Sequence, residues 1–128
     1  DHGRAAALVA RACFLSGLPK VITRFEGAEQ ATWRPASVYH YIQDRYIKPD
    51  LVVDVTDSFS QKMEAIRAFS SQFYTAGDEG PQTPISSAEF LHFIEGRARE
   101  FGRSIGVEFG EGFTVERPMG ISNLLDIQ

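Results

Sequence analysis

Residues 48–56, KPDLVVDVT, contain the segment that decides the fold class. Lys-Pro-Asp is typical of a turn, and LVVDVT (51–56) is an almost continuous β-branched run. Such a run is typical of a strand that is buried on both faces of a parallel sheet. Downstream, Ser58 and Gln61 have the spacing of a capping box, and apolar residues then recur at helical spacing as far as Phe73. A buried strand followed by an amphipathic helix predicts an α/β fold.

Two further helices and one further strand are predicted around this segment. Asp1 precedes an amphipathic stretch that we expect to be helical from about residue 2 to residue 16, with Asp1 as its N-cap. SVYHYI (37–42) alternates as a strand does, and Ser86 with Glu89 makes a second capping box before a third helix. Residues 107–128 are predicted to contain one or two short extended pieces. Two strands and three helices are too few for a complete doubly wound domain, so we expect further strands upstream.

Two stretches show neither the helical nor the strand period. Residues 20–36 are predicted to form an irregular loop. Residues 75–84, TAGDEGPQTP, form a Gly, Pro and acidic segment that is too long for a plain connector. We therefore expect this second stretch to form the rim of a site.

The composition bounds the class of protein. The hydrophobic fraction of 43% and the aromatic fraction of 12% are enough to bury a core. A net charge of -4 without a dense Lys/Arg block argues against a nucleic-acid partner, and no apolar span or basic amphipathic face indicates a membrane. The single Cys13 excludes an internal disulfide and fits a cytoplasmic location. We expect Cys13 to be a small buried hydrophobe on the first helix rather than a nucleophile.

The three histidines are the first candidates for chemistry. His92 lies off the apolar stripe of its predicted helix and is interpreted as a solvated residue. His40 alternates with tyrosines in a strand, where either a hydrogen-bonded structural role or a site role is open. His2 directly follows Asp1 at the start of a helix, and a His with a carboxylate at such a junction often contributes to a metal site. One histidine cannot hold zinc, so the residues alone give a candidate ligand. No G-x-S-x-G, Walker A or G-x-G-x-x-G motif occurs.

Arg97 is an anomaly, because it falls on the apolar face of the third helix. Its stem can pack while its head reaches solvent. Alternatively it faces inward and binds an anion or a carboxylate. The spacing leaves both interpretations open.

Five segments, taken in order, resemble the zinc-dependent LmbE/PIG-L-like de-N-acetylases: DHGRAAALV, WRPASVYHYI, KPDLVVDVT, QKMEAIRAFSSQF and GVEFGEGF. The resemblance extends from Asp1 to about Leu125 and is strongest to the branch that acts in bacillithiol biosynthesis. It implies an α/β, Rossmann-like sheet with flanking helices. It also implies that residues 1–128 are the C-terminal part of one such domain, whose N-terminal part is absent from this chain.

The resemblance further implies roles for three residues. In the family, a His-Pro-Asp-His motif opens a helix, and its last two positions match Asp1 and His2. His2 is then a zinc ligand, and Asp1 acts in catalysis by orienting the preceding histidine of the motif. The other ligands, a His and an Asp, and the catalytic Asp belong to an N-terminal motif that this chain lacks. Arg34 in WRPAS matches a family arginine near the site, which implies contact with the anionic part of the substrate.

Three other residues match recurrent family positions, and for these structural roles are open beside functional ones. Gln72 is interpreted as a helix-packing residue and Glu111 as part of a turn near the cleft. An inward Arg97 is expected to pair with a carboxylate such as Glu111.

The function that the resemblance implies is removal of acetate from N-acetylglucosaminyl malate by a cytoplasmic zinc hydrolase. Family members form homo-oligomers, hexamers among them. Two alternatives remain open on the sequence: the same fold acting on another N-acetyl sugar, and a non-catalytic module that has lost the metal.

Overall fold

The computed structural model describes residues 1–73 and 83–127. Most of the predicted site rim, 75–84, therefore lies outside the described residues. The described chain has a mixed α/β structure that divides into two compact units. One unit comprises residues 1–40 with 115–122, and the other comprises 41–114 with 123–128. No helix in the described ranges is long and apolar enough to cross a membrane.

The first unit begins with helix α1, His2–Leu15, close to the predicted bounds. Asp1 is its N-cap by position, and the Asp1 carbonyl accepts a hydrogen bond from the Ala5 amide at 2.9 Å. The Asp1 side chain makes no capping bond, so the expected capping role of its carboxylate is wrong. The apolar stripe is present but not buried within the described residues, since Leu8 is 69% exposed. Cys13 is half-buried rather than buried.

A short β-hairpin replaces part of the irregular loop that was expected at 20–36. Strands β1, Arg24–Phe25, and β2, Ala28–Glu29, pair antiparallel around a two-residue turn. Glu26 and Gly27 in that turn have φ values of 51° and 82°. Positive φ at both positions is what a type I′ turn requires, and this turn matches the twist of a hairpin.

A three-stranded sheet has the order β3-β5-β4, formed by Tyr39–Tyr41, Gly110–Val115 and Leu51–Asp54. Strand β4 runs antiparallel to β5, with Leu51 opposite Phe113 and Asp54 opposite Gly110. The predicted parallel strand buried on both faces is therefore wrong, and the Val53 side chain is exposed. A β-branched run favours a strand, but it does not specify the direction of the neighbouring strand.

The core of the second unit lies among two helices and the start of β5. Its buried residues come from α2, Phe59–Arg67, from α3, Ala88–Ser104, and from Phe109. The rings of Phe59 and Phe109 stack at 3.9 Å between centroids and at 10° between planes. This stacked pair joins α2 to the residue that leads into β5.

A close backbone contact brings α3 against the segment 107–110. A Cβ atom on Gly102 would lie 2.8 Å from the Val107 carbonyl oxygen and 2.9 Å from the Gly110 nitrogen. Both Gly102 and Gly110 are buried. Glycine at both positions therefore allows the helix to approach the strand at backbone distance.

The helix ends differ from the sequence prediction. The Ser58 hydroxyl donates to the Val55 carbonyl and does not cap α2, and this helix ends at Arg67 rather than near Phe73. The predicted Ser58 capping box is therefore absent. The cap of α3 is Ser87, one residue later than predicted, and its hydroxyl accepts from the Phe90 amide at 3.2 Å.

Candidate functional site

Asp1 and His2 lie together at the N-terminus of α1, and both are exposed. His2 is the first residue of the helix and therefore lies beside the backbone N–H groups of the first turn, which have no partner within the helix. The neighbouring Asp1 carboxylate is not used to cap those groups. This arrangement gives one imidazole and one carboxylate at adjacent positions.

A complete metal site requires more donors than this pair. Zinc sites in proteins take three or four protein ligands. Within residues 1–73 and 83–127, no group of three or more His, Cys, Asp or Glu side chains is placed to hold a metal ion. The donors of the described chain therefore do not make up a full zinc set, and His2 is at most one member of it.

Arg34 is held against the C-terminal end of α1. Its Nη2 donates to the Phe14 carbonyl at 3.2 Å, and its guanidinium carbon lies 5.0 Å from the centroid of the Phe14 ring. The side chain also passes over Gly17, where an added Cβ atom would overlap the Arg34 Nε. A guanidinium has five N–H donors, and the bond to Phe14 uses one of them. The exposed guanidinium is thus held against Phe14 and has further N–H donors with which a carboxylate could pair.

His40 forms a pair that the sequence does not suggest. Its Nε2 lies 3.2 Å from a carboxylate oxygen of Glu116, and the His40 side chain is 30% exposed. Next to this pair, the Arg117 guanidinium donates to the Ala36 carbonyl. These contacts fasten residues 36–40 to the segment at 116–117, which supports a structural role for His40.

Arg97, in the second unit, binds backbone rather than a carboxylate side chain. Its guanidinium donates to the carbonyls of three consecutive residues: Ile42 at 3.4 Å, Gln43 at 2.5 Å, and Asp44. Its guanidinium carbon also lies 4.4 Å from the centroid of the Phe93 ring. Burial lowers the pKa of Arg97, and the negative charges of Asp44 and Glu100 oppose that change.

The expected partnership of Arg97 with Glu111 is wrong. Glu111 instead accepts from Lys62 of α2, with 2.5 Å between Lys62 Nζ and the carboxylate oxygen. Gln72 is exposed beyond the end of α2, so the packing role expected for it is not observed among the described residues. Lys62 is the residue that the sequence interpretation missed, because in the sequence it is only a polar position of a helix.

Comparisons with known proteins bear on the fold. None of the protein families searched matches this chain. Among solved structures, the crystal structure of the conserved protein TT1542 from Thermus thermophilus is similar, with a TM-score of 0.75 and 21% sequence identity. The match covers 96% of this chain and 49% of that chain. The two proteins therefore share this part of the fold, and this chain spans about half the length of the relative.

Proposed function

We propose that this chain is the C-terminal part of a Rossmann-like, zinc-dependent N-deacetylase that acts on N-acetylglucosaminyl malate. The observation that carries the proposal is the pair at the start of α1. His2 presents an imidazole there, directly beside an Asp1 carboxylate that does not cap the helix. The resemblance of the five ordered segments to the LmbE/PIG-L-like enzymes supports this assignment.

In this proposal each of three residues has a distinct task. His2 supplies one ligand for zinc, and the remaining ligands come from the N-terminal motif of the family. Asp1 accepts a hydrogen bond from a second histidine and so fixes its orientation, as carboxylates beside metal sites commonly do. Arg34 binds the malate carboxylates with the guanidinium donors that Phe14 leaves unused.

A zinc ion in such a site would polarise the acetamide carbonyl and lower the pKa of a water molecule. The products would be acetate and a free amino sugar. The protein would then be a cytoplasmic homo-oligomer that needs neither nucleic acid nor membrane.

The first test measures free amine released from N-acetylglucosaminyl malate by the protein in its complete natural form. Wild type, His2→Ala and His92→Ala are compared, with zinc content measured for each. His92 is the matched control because it is exposed on α3. Losing a residue that merely orients a ligand already costs about 10–100-fold, so His2→Ala should lose more than that in activity and should lose zinc.

The outcomes separate the alternatives. If His2→Ala keeps both activity and zinc, His2 is not a ligand and the proposal is wrong. If the wild type binds zinc but leaves this substrate intact, another N-acetyl sugar is the substrate. If the wild type binds no zinc and releases no amine, the chain belongs to a non-catalytic module rather than to an enzyme.

A second test addresses Arg34 through two substrates. Arg34→Ala should raise KM for the malate conjugate and leave KM for N-acetylglucosamine unchanged, because only the former carries carboxylates. Arg34→Lys keeps the charge but loses the planar fork, so it should recover only part of the affinity. Equal effects on both substrates would mean that Arg34 acts only through its packing on Phe14.

A further inference from the structure

Hydrogen bonds join the end of helix α1 to the segment at 33–34. The Phe14 carbonyl accepts two of them, from the Gly17 amide at 3.4 Å and from Arg34 Nη2 at 3.2 Å. A carbonyl oxygen has two lone pairs, so these two donors satisfy it. The Trp33 amide donates to the Ser16 carbonyl at 3.0 Å, which brings the backbone before Arg34 against the same end of the helix.

The backbone of Gly17 lies directly against the Arg34 side chain. A Cβ atom added at Gly17 would lie 2.9 Å from the Arg34 Cβ and 3.1 Å from its Cζ. Carbon atoms that are not bonded to each other pack at about 3.5–4.0 Å. Because both the base of the arginine side chain and its guanidinium would be affected, a new rotamer of the terminal atoms would not relieve the overlap. Any residue with a Cβ at this position should therefore displace Arg34 from the end of α1.

The charge of Arg34 suits the place where it lies. The C-terminal end of a helix carries a partial negative charge, which favours a nearby cation. No residue in the last turn of the described helix α1 is basic, so Arg34 supplies this cation from outside the helix. The Phe14 ring, 5.0 Å from the guanidinium carbon, adds a cation–π contact. The carbonyl, the ring and the bare backbone at Gly17 thus set the position of the guanidinium together.

We propose that the end of α1, through Gly17, positions Arg34 for substrate binding. The absence of a side chain at Gly17 lets the arginine cross the helix end, and this crossing sets the direction in which the guanidinium meets a carboxylate. Gly17 is a positioning residue, because it acts only through Arg34. The inference rests on one element of the proposed function, the assignment of Arg34 to the malate carboxylates.

The test compares Gly17→Ala with wild type, each in the complete natural form of the protein, on N-acetylglucosaminyl malate and on N-acetylglucosamine. The measured quantity is the ratio of kcat/KM for the two substrates, since only the first carries carboxylates. Hydrogen bonds to charged groups contribute about tenfold to one-hundredfold, and a displaced guanidinium loses part of that contribution. Gly17→Ala should therefore lower the ratio about tenfold through KM and leave kcat unchanged.

The matched control is Gly120→Ala. Gly120 is an exposed glycine of the same unit, and a Cβ atom added there would meet nothing within 4 Å, so the ratio should not change. Phe14→Leu keeps the carbonyl but removes the ring, and it should lower the ratio about twofold to fivefold, as expected for a cation–π contact at an exposed site. In an Arg34→Ala background, Gly17→Ala should have no further effect on the ratio, because the group that Gly17 positions is gone.

A binding measurement separates this inference from the deacetylase activity. Malate is titrated into wild type, Gly17→Ala and Arg34→Ala, and the NMR signal of the Arg34 Nε–H, identified by its absence in Arg34→Ala, reports the contact. The wild-type signal should shift with malate, and Gly17→Ala should bind malate about tenfold more weakly. If this difference is present but neither substrate releases amine, the deacetylase proposal fails and the positioning role stands.

Three results would overturn the positioning role. If malate does not shift the wild-type signal, Arg34 binds no carboxylate and Gly17 has nothing to position. If Gly17→Ala matches Gly120→Ala in the substrate ratio and in malate affinity, Arg34 keeps its direction without a glycine. If the loss in Gly17→Ala persists in the Arg34→Ala background, Gly17 acts on the stability of the helix end. Circular dichroism checks that each variant is folded; should Gly17→Ala not fold, an unchanged ratio in Phe14→Leu would overturn the role given to the end of α1.

Discussion

The contact between α3 and the segment 107–110 gives a prediction that uses two glycines of the same helix. At Gly102, an added methyl group would lie within 2.9 Å of three backbone atoms, belonging to Val107, Glu108 and Gly110. At Gly96, an added methyl group would meet nothing within 4 Å. The same substitution to alanine therefore has opposite expected effects at the two positions.

The magnitudes follow from packing and helix propensity. Gly96→Ala gains the propensity difference between glycine and alanine, about 1 kcal/mol in the free energy of unfolding. Gly102→Ala lies near the end of α3, where the gain is smaller, and the atoms it meets are backbone that cannot change rotamer. Overpacking costs about 1–3 kcal/mol, and this geometry belongs at the upper end, so the net loss should be about 2 kcal/mol.

Urea unfolding followed by circular dichroism measures both variants against wild type. The two should differ by about 3 kcal/mol, and Gly102→Ala should melt about 8 °C below wild type, at about 4 °C per kcal/mol for a chain of this size. If Gly102→Ala is as stable as Gly96→Ala, α3 and the segment 107–110 do not meet at backbone distance, and the reasoning is refuted.

Three further predictions concern the second unit. Arg97→Met removes a charged donor from three carbonyls and should lower the free energy of unfolding by about 2 kcal/mol. The control Arg99→Met should lower it by less than about 1 kcal/mol, because the acidic partners of Arg99 are exposed. The urea midpoints of the two variants measure this difference. The Thr56 hydroxyl and amide lower the pKa of Asp54 below its ordinary value. This stabilisation is therefore present above the ordinary pKa of an aspartate and is lost as the pH falls through the lower pKa of the folded state. Asp54→Asn should therefore flatten the acid side of a Tm-against-pH profile, and an unchanged profile would contradict the assignment. Phe59→Ala removes a buried, stacked ring and should cost about 3–5 kcal/mol in the same urea assay; a cost below about 1 kcal/mol would mean that the ring is not in the core.

The elements that could be predicted are those whose signal is local. The bounds of α1 followed from its periodicity and from the Gly and Pro after it. The capping box predicted at Ser86 indicated the third helix, although the residue that caps α3 is Ser87. The direction of β4 could not be predicted, because its partner β5 is six residues with two glycines, a poor strand by composition. Those glycines are required by the approach of α3, which is a long-range constraint.

For the candidate site, the sequence predicts which residue types take part but not which residues lie together in space. A D-H pair before a helix indicates a ligand, but no local pattern supplies the other donors. The partner of Arg97 was unpredictable for a different reason: it binds main-chain carbonyls, and every residue has one. Glu116, the partner of His40, lies 76 residues away in sequence, and nothing near either residue indicates the other.

The hairpin turn at Glu26 and Gly27 has a consequence for how the protein can change over evolution and in engineering. The left-handed backbone conformation of Glu26 costs roughly 1 kcal/mol, most of which asparagine or glycine would avoid. Glu26→Asn is therefore expected to stabilise the protein. Gly27 has no such freedom. Because the turn is exposed and meets no neighbouring side chain at Gly27, it is also a natural point for a peptide insertion or a label. Glu26 can vary while Gly27 is constrained, although both residues are exposed to solvent.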